Sequence, residues 1–227
     1  MTRCFAITAA LVVLSLSACG KPQPAPVSTP APGVPLSDDV ASPPESKPAE
    51  LPVATEIKRV DASGFTLGEY LPPLDAGKIE IAVPDGWKPL PRDSKYVVRF
   101  ANVNSGGGLP RIEVIVEESS LGGIADLTED NVIDFASAVG KHLQESGTAV
   151  IEPPLPMVIG SVPCARYVSH LKLKIGEGTL LVERQTLALL HGGRLYQINL
   201  LVEVDQLVES RDAAYAICAG IRFPDEQ

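Results

Sequence analysis

Beyond residue 51 the chain alternates apolar and polar positions with the period of a strand, interrupted twice by the period of a helix. Lys78 to Val83 alternates and stops at Pro84-Asp85-Gly86, a turn sequence, and Tyr96 to Val103 reads as the next strand. Arg111 to Glu117 puts Ile112, Val114 and Val116 on one face, so Asn104-Ser105-Gly106-Gly107-Gly108 before it reads as a hairpin loop. A phosphate cradle would need a helix directly after those glycines, and a strand follows instead. Thr128 is the expected cap of a first helix, with Glu129 and Asp130 at its positive end. Val132, Phe135, Ala136, Val139 and Leu143 form its apolar stripe, and Gly147 ends it. Pro153 to Pro163 is broken by prolines and reads as an irregular connection or an edge strand. Three strands then follow through tight glycine turns: Ala165 to Ile175, Thr179 to Leu190, and Arg194 to Val202. Together they predict an antiparallel meander. A second helix is expected from about Asp205 to Ala219, with Val208, Tyr215 and Cys218 among its apolar positions and Gly220 as its stop. Strands, helix, strands, helix in that order predict an α+β domain over residues 54–227.

The first fifty residues follow a different pattern. Met1-Thr2-Arg3 precedes an apolar run from Phe5 to Leu16, broken only by Thr8 and Ser15, and the run ends in Leu16-Ser17-Ala18-Cys19. About twelve apolar residues suit a signal peptide and fall short of the ~20 needed to span a membrane. The order resembles a bacterial lipoprotein precursor, with residues 1–18 as signal peptide. A retained membrane helix and cleavage without lipid are the alternatives. The resemblance implies a diacylglyceryl group on Cys19, further acylation such as palmitate, and a cell-envelope location. Gly20 in place of the Asp that marks inner-membrane retention implies the periplasmic face of the outer membrane. From Lys21 to Pro52 come ten of the chain's 21 prolines and no aromatic residue. Such a segment cannot bury enough apolar surface to offset ordering, so residues 19–53 read as a disordered, polyproline-biased linker.

Composition narrows the partners. The 227-residue chain carries a formal charge of −9, which becomes −9 − 1 = −10 once Arg3 leaves with the signal peptide. An acidic chain has no footprint for nucleic acid or for electrostatic docking on anionic lipid. The membrane partner is therefore expected to be reached through lipid on Cys19, with an envelope protein or small ligand as the domain's own partner.

The layout resembles the PsbP-like α/β-sandwich fold. The features that carry the resemblance are the strand running into Val83-Pro84-Asp85-Gly86-Trp87, the helix over Thr128–Ser146, the meander from Cys164 to Val202, and the terminal helix. The resemblance spans roughly Ile57 to Phe223 and implies a non-catalytic binding or assembly factor, with no functional residue carried over position by position.

Candidate chemistry is sparse. His142, His170 and His191 share no metal-ligand spacing, no serine lies in a Gly-x-Ser-x-Gly context, and the adjacent carboxylates do not form an acid/base couple. The expectation is no catalytic site, no metal and no cofactor. The rival is an envelope enzyme whose site is assembled from distant residues. Arg166, His170, Lys172 and Lys174 form a basic stripe on one strand face, read either as a solvated face or as a docking surface for an acidic partner. After Cys4 and Cys19 are subtracted, Cys164 and Cys218 remain, either as a disulfide fastening the terminal helix or as two small buried thiols.

Overall fold

Leu187-Ala188-Leu189-Leu190 are all buried, although neighbours on a strand point to opposite faces. Their strand must therefore be covered on both sides, and the architecture follows from that. The computed structural model describes residues 51–224 except 53, 107, 120, 176 and 177. The Leu16–Cys19 segment and most of the proline-rich stretch lie outside the described residues. In chain order the elements are β1 (Lys58–Val60), β2 (Leu67–Tyr70), β3 (Ala82–Pro84), β4 (Trp87–Pro89), β5 (Val98–Asn102), β6 (Arg111–Glu118), α1 (Val132–Glu145), β7 (Val150–Ile159), β8 (Val162–Ile175), β9 (Gly178–His191), β10 (Arg194–Glu203) and α2 (Leu207–Gly220).

The principal sheet has the order β1-β7-β8-β9-β10-β6-β5-β4, and β2 pairs with β3 beside it. Every pair in the large sheet is antiparallel except β1 with β7. The fold is thus α+β, with the expected meander at its centre. Gly192 and Gly193 turn β9 into β10 with φ of 56° and 70°, the two left-handed positions of a type I′ hairpin.

The helices lie on opposite faces. Phe135, Ala136, Val139 and Leu143 of α1 pack on Ala165, Tyr167, Ala188, Leu190 and Leu195. Leu207, Ala214, Tyr215, Ile217 and Cys218 of α2 pack on Cys164, Val168, Leu187, Leu189 and Ile198, in a larger core that also takes in Ile79 and Ile81. Each fully buried Leu, Val or Phe contributes about 1.5–3 kcal/mol, so both layers are held mainly by these faces. No helix among the described residues is long and apolar enough to cross a membrane.

Several expected details change. The proline-broken segment is a regular ten-residue strand, β7. Its register shifts between Val150 and Glu152 and again between Glu152 and Leu155, which absorbs Pro153 and Pro154 as bulges. Its stretch Met157–Ile159 is interior, because β1 pairs with it in parallel. The first helix starts at Val132 with Asn131 as N-cap, three residues after Thr128 would have placed it. Asn131 Oδ1 accepts from the Thr128 N–H at 2.8 Å, so the Thr128 turn precedes the helix. On α2 the buried residue of the first turn is Leu207, and Val208 is 67% exposed.

Candidate functional site

The segment between β2 and β3 contains a feature that few sequences tolerate. Asp75, Ala76 and Gly77 take φ of 50°, 57° and 89° in succession. For a residue with a Cβ the left-handed region costs about 1–2 kcal/mol, so something must hold the turn in place. The hold comes from β10: Arg194 Nη2 donates to Asp75 Oδ1 at 2.9 Å, and the Tyr196 hydroxyl donates to Asp75 Oδ2 at 3.2 Å. Burial first, and the Asp75 carboxylate next, push the Tyr196 hydroxyl up to about 12, so it stays a proton donor throughout the physiological range.

The strained turn forms one wall of a cleft of ≈ 510 Å³. The opposite wall is the loop into β5, carrying Arg92, Asp93, Ser94, Lys95 and Tyr96, and Val116 also lines the cleft. Behind Tyr96 and Leu74 the cleft adjoins a narrower apolar pocket of ≈ 120 Å³, lined by Leu71, Pro72, Leu90, Pro91, Val97 and Val98 among others. Prolines on both sides fix φ and stiffen the walls. The arrangement is a polar mouth over an apolar end.

Tyr96 is the hinge between this cleft and the α1 face of the sheet. The Arg99 guanidinium lies 5.0 Å from the Tyr96 ring centre, within cation–π range. Arg99 Nη2 donates to the Pro91 carbonyl at 3.1 Å and sits 3.7 Å from Asp93. The Tyr96 side chain interacts with Glu113, which is 8% exposed. Burial holds the Glu113 carboxyl above the usual carboxylate range, against the pull of Arg111, Arg99 and Arg184. Burial likewise raises the Tyr96 hydroxyl, and Glu113 adds to the effect. These residues come from β5, β6, β9 and one loop, and no linear motif marks them.

The residues singled out on the sequence divide. Arg166 does not share a solvated face with the rest of its stripe. It is 8% exposed, on the α2 side of the sheet, where Nη1 donates to Glu152 Oε2 at 2.6 Å and Nε to Gln185 Oε1 at 2.8 Å. The physical reason is coverage: the face expected to meet water is the one that α2 covers. His170 is half-buried, and Lys172 and Lys174 are exposed. Pairing with β7 ends at Ser169 and pairing with β10 ends at Val182, so the outer part of the β8–β9 hairpin pairs only within itself. Cys164 and Cys218 meet as thiols, both fully buried. His142 is exposed on α1, and His191 stacks on Phe223 at 4.0 Å with Asp126 3.4 Å from its Nδ1. Among the described residues no three His, Cys, Asp or Glu side chains gather as a metal site. Cys19 lies outside them.

No family model matches the chain, and no curated protein matches it. The solved structures similar in layout include these three. One is a Bacteroides thetaiotaomicron protein, 13% identical with a TM-score of 0.45, over 70% of this chain and 49% of that one. The second is the cyanobacterial PsbP protein CyanoP of Synechocystis, 13% identical with a TM-score of 0.38, over 66% and 88%. The third is LpqN of Mycobacterium tuberculosis, described as involved in cell envelope biogenesis, 16% identical with a TM-score of 0.38, over 63% and 81%. The chain spans about half the length of the Bacteroides protein.

Proposed function

We propose that the chain is a cell-envelope lipoprotein, anchored through Cys19 and held off the membrane by its proline-rich segment, whose domain binds a small amphiphilic ligand without transforming it. The cleft between Asp75 and Tyr96 carries this reading. Its apolar end of ≈ 120 Å³ has room for roughly four water-sized groups, given ~30 Å³ each. Four methylenes buried there at about 0.8 kcal/mol each supply ~3 kcal/mol. A micromolar ligand needs about 8 kcal/mol, so the remainder falls to the polar mouth: Arg92, Asp93, Lys95 and Tyr96. These groups hold and orient a ligand. No histidine or cysteine lines either cavity.

Two experiments test the parts separately. Cys19→Ala is expected to leave the protein unprocessed or released from membranes and to abolish incorporation of an alkynyl fatty acid. Retention and labelling as in the wild type would defeat the anchor. A photo-crosslinking residue at Lys95, on the mouth, is expected to trap ligand in cells, whereas one at Lys141 on α1 is not. Equal trapping at both positions would defeat the cleft. The free end of the β8–β9 hairpin, with Lys172 and Lys174, supports a second contact for an acidic protein partner. Charge reversal at both lysines is expected to reduce recovery of partners in pull-down from envelope extracts.

A further inference from the structure

The α1 side of the sheet is only half covered. α1 sits over β7 and β8 and reaches Ala188, Leu190 and Leu195 at one end of β9 and β10. The rest of that face, across the other end of β9 and β10 and across β6 and β5, carries polar side chains in register. One row across the strands reads Arg111, Leu201, Arg184, Ser169, and the next reads Arg99, Glu113, Asn199, Thr186. A sheet face open to water would leave such residues solvated. Here Ser169 and Thr186 are fully buried, Asn199 is 3% exposed, and Thr186 Oγ1 donates to Asn199 Oδ1 at 2.7 Å. This part of the face is built, with fixed side chains.

Within it two arginines share one arrangement. Arg184 is held at its Nε, which donates to Ser169 Oγ at 3.3 Å. Arg111 is held by an ion pair, its Nε 2.9 Å from Glu113 Oε1 without hydrogen-bond geometry. In both, the terminal nitrogens make no hydrogen bond to a described residue, and both side chains are half-buried. The two stand on either side of Leu201, two strand spacings or ~10 Å apart at the backbone, a gap that two arginine side chains can close on one group. Arg184 also lines a cavity of ≈ 260 Å³ between α1 and the sheet, which continues past Gln197, Leu195 and Tyr167 towards His142. Arg184 therefore stands on the groove, whose lining also includes Glu117.

We propose that Arg111 and Arg184 form a phosphate-binding clamp, a site separate from the Asp75–Tyr96 cleft. Two forks closing on one group from either side of Leu201 would match a phosphate, which offers acceptor oxygens in several directions. A carboxylate is saturated by one bidentate fork. Arg111 and Arg184 share one buried carboxylate, Glu113, which lies 2.9 Å from Arg111 and feels both cations. On a chain of net charge −9 the pair thus keeps an excess positive charge where an anion is favoured. The phosphate can be a free ion or the diester of a lipid headgroup, and the groove beside Arg184 would take whatever the phosphate carries.

The test uses the full chain in neutral detergent, with NMR or calorimetric titration at low salt. The probes are inorganic phosphate, glycerophosphoglycerol as a water-soluble diester headgroup, and acetate. Binding of either phosphate probe is expected, weakened at least tenfold in Arg111→Gln and in Arg184→Gln, with thermal melting checked for both variants. Arg211→Gln, an arginine on α2, is the control and is expected to bind as the wild type does. Tighter binding of the diester assigns the site to headgroups, and tighter binding of the ion assigns it to free phosphate. Acetate binding as tightly as phosphate, no binding of either phosphate probe, or equal binding by all variants would overturn the clamp.

Discussion

Cys164 on β8 and Cys218 on α2 interact across the interface between helix and sheet, and neither has any exposed surface. The contact with Cys164, reinforced by burial, pushes the Cys218 thiol well above its ordinary value. A thiol kept protonated is a poor nucleophile, which makes the pair structural. Export would place it where disulfides form. Closing a loop of roughly fifty residues would stabilise by ~4 kcal/mol in the chain-entropy picture. The expected result for protein isolated from the envelope is that unfolding alone exposes no alkylatable thiol, and that unfolding with reductant exposes two. Two labelled thiols without reductant would show that the pair stays reduced. Cys218→Ala would then cost nearer 1 kcal/mol than 4.

Glu152→Gln is expected to destabilise the fold by about 1–3 kcal/mol, because Arg166 is buried and loses its one charged partner. The lower part of that range is favoured, since the Glu152 side chain is 49% exposed and water can take over part of its role. The hydrogen bond from Arg166 holds the Glu152 carboxyl below the usual carboxylate range. A depressed folded value means that this stability is present above the unfolded value near 4.3 and fades as pH falls through the folded one. Urea midpoints at pH 7 and pH 3 check it: the gap between wild type and variant should narrow in acid. A gap that widens there would contradict the assignment.

Ala76→Gly is expected to stabilise by about 0.5–1 kcal/mol. Relief of the left-handed conformation is worth ~1–2 kcal/mol, and glycine returns ~0.5–1 kcal/mol as unfolded-chain entropy. Ala76 is exposed, so no packing is lost. Thermal or urea unfolding measures it, and a loss of stability would show that the turn is not strained. Asp75→Gly relieves the same kind of strain but forfeits the bonds from Arg194 and Tyr196, so it is expected to be the worse substitution.

What the sequence disclosed was periodicity, and what it concealed was coverage. The meander, both helices and the α+β class follow from spacing. Leu187 to Leu190, four apolar neighbours in a row, already implied a strand buried on both faces. Alternation alone does not say which face a helix will cover, and the burial of Arg166 under α2 was hidden for that reason. Val208 is exposed and Leu207 buried because neighbours on a helix stand ~100° apart and it is Leu207 that faces the sheet. The prolines of β7 hid a strand whose bulges accommodate them. Tyr96, Glu113, Arg99, Arg111 and Arg184 have no linear signature, because cross-strand register brings them together. The only advance sign was the mixed face of β10, where Gln197 and Asn199 alternate with apolar residues.

Glu113 gives the sharpest test of the site's electrostatics, because its folded state favours the proton. Burial raises its carboxyl, with Arg111, Arg99 and Arg184 pulling in the other direction. Between its unfolded value near 4.3 and its raised folded value the native state binds more proton than the unfolded state. Its contribution to stability therefore declines as pH rises through that window and is level above it. Glu152, Glu129 and Asp61 are held low and act in the opposite sense, so the raw pH curve mixes both. The difference between wild type and Glu113→Gln isolates the one carboxyl. Measured by denaturant midpoint from pH 4 to pH 8, the glutamine variant should gain on the wild type as pH rises and then run parallel to it. If the variant instead falls behind steadily with rising pH, Glu113 is stabilised as an anion by its arginines, and burial is not the dominant influence at this site.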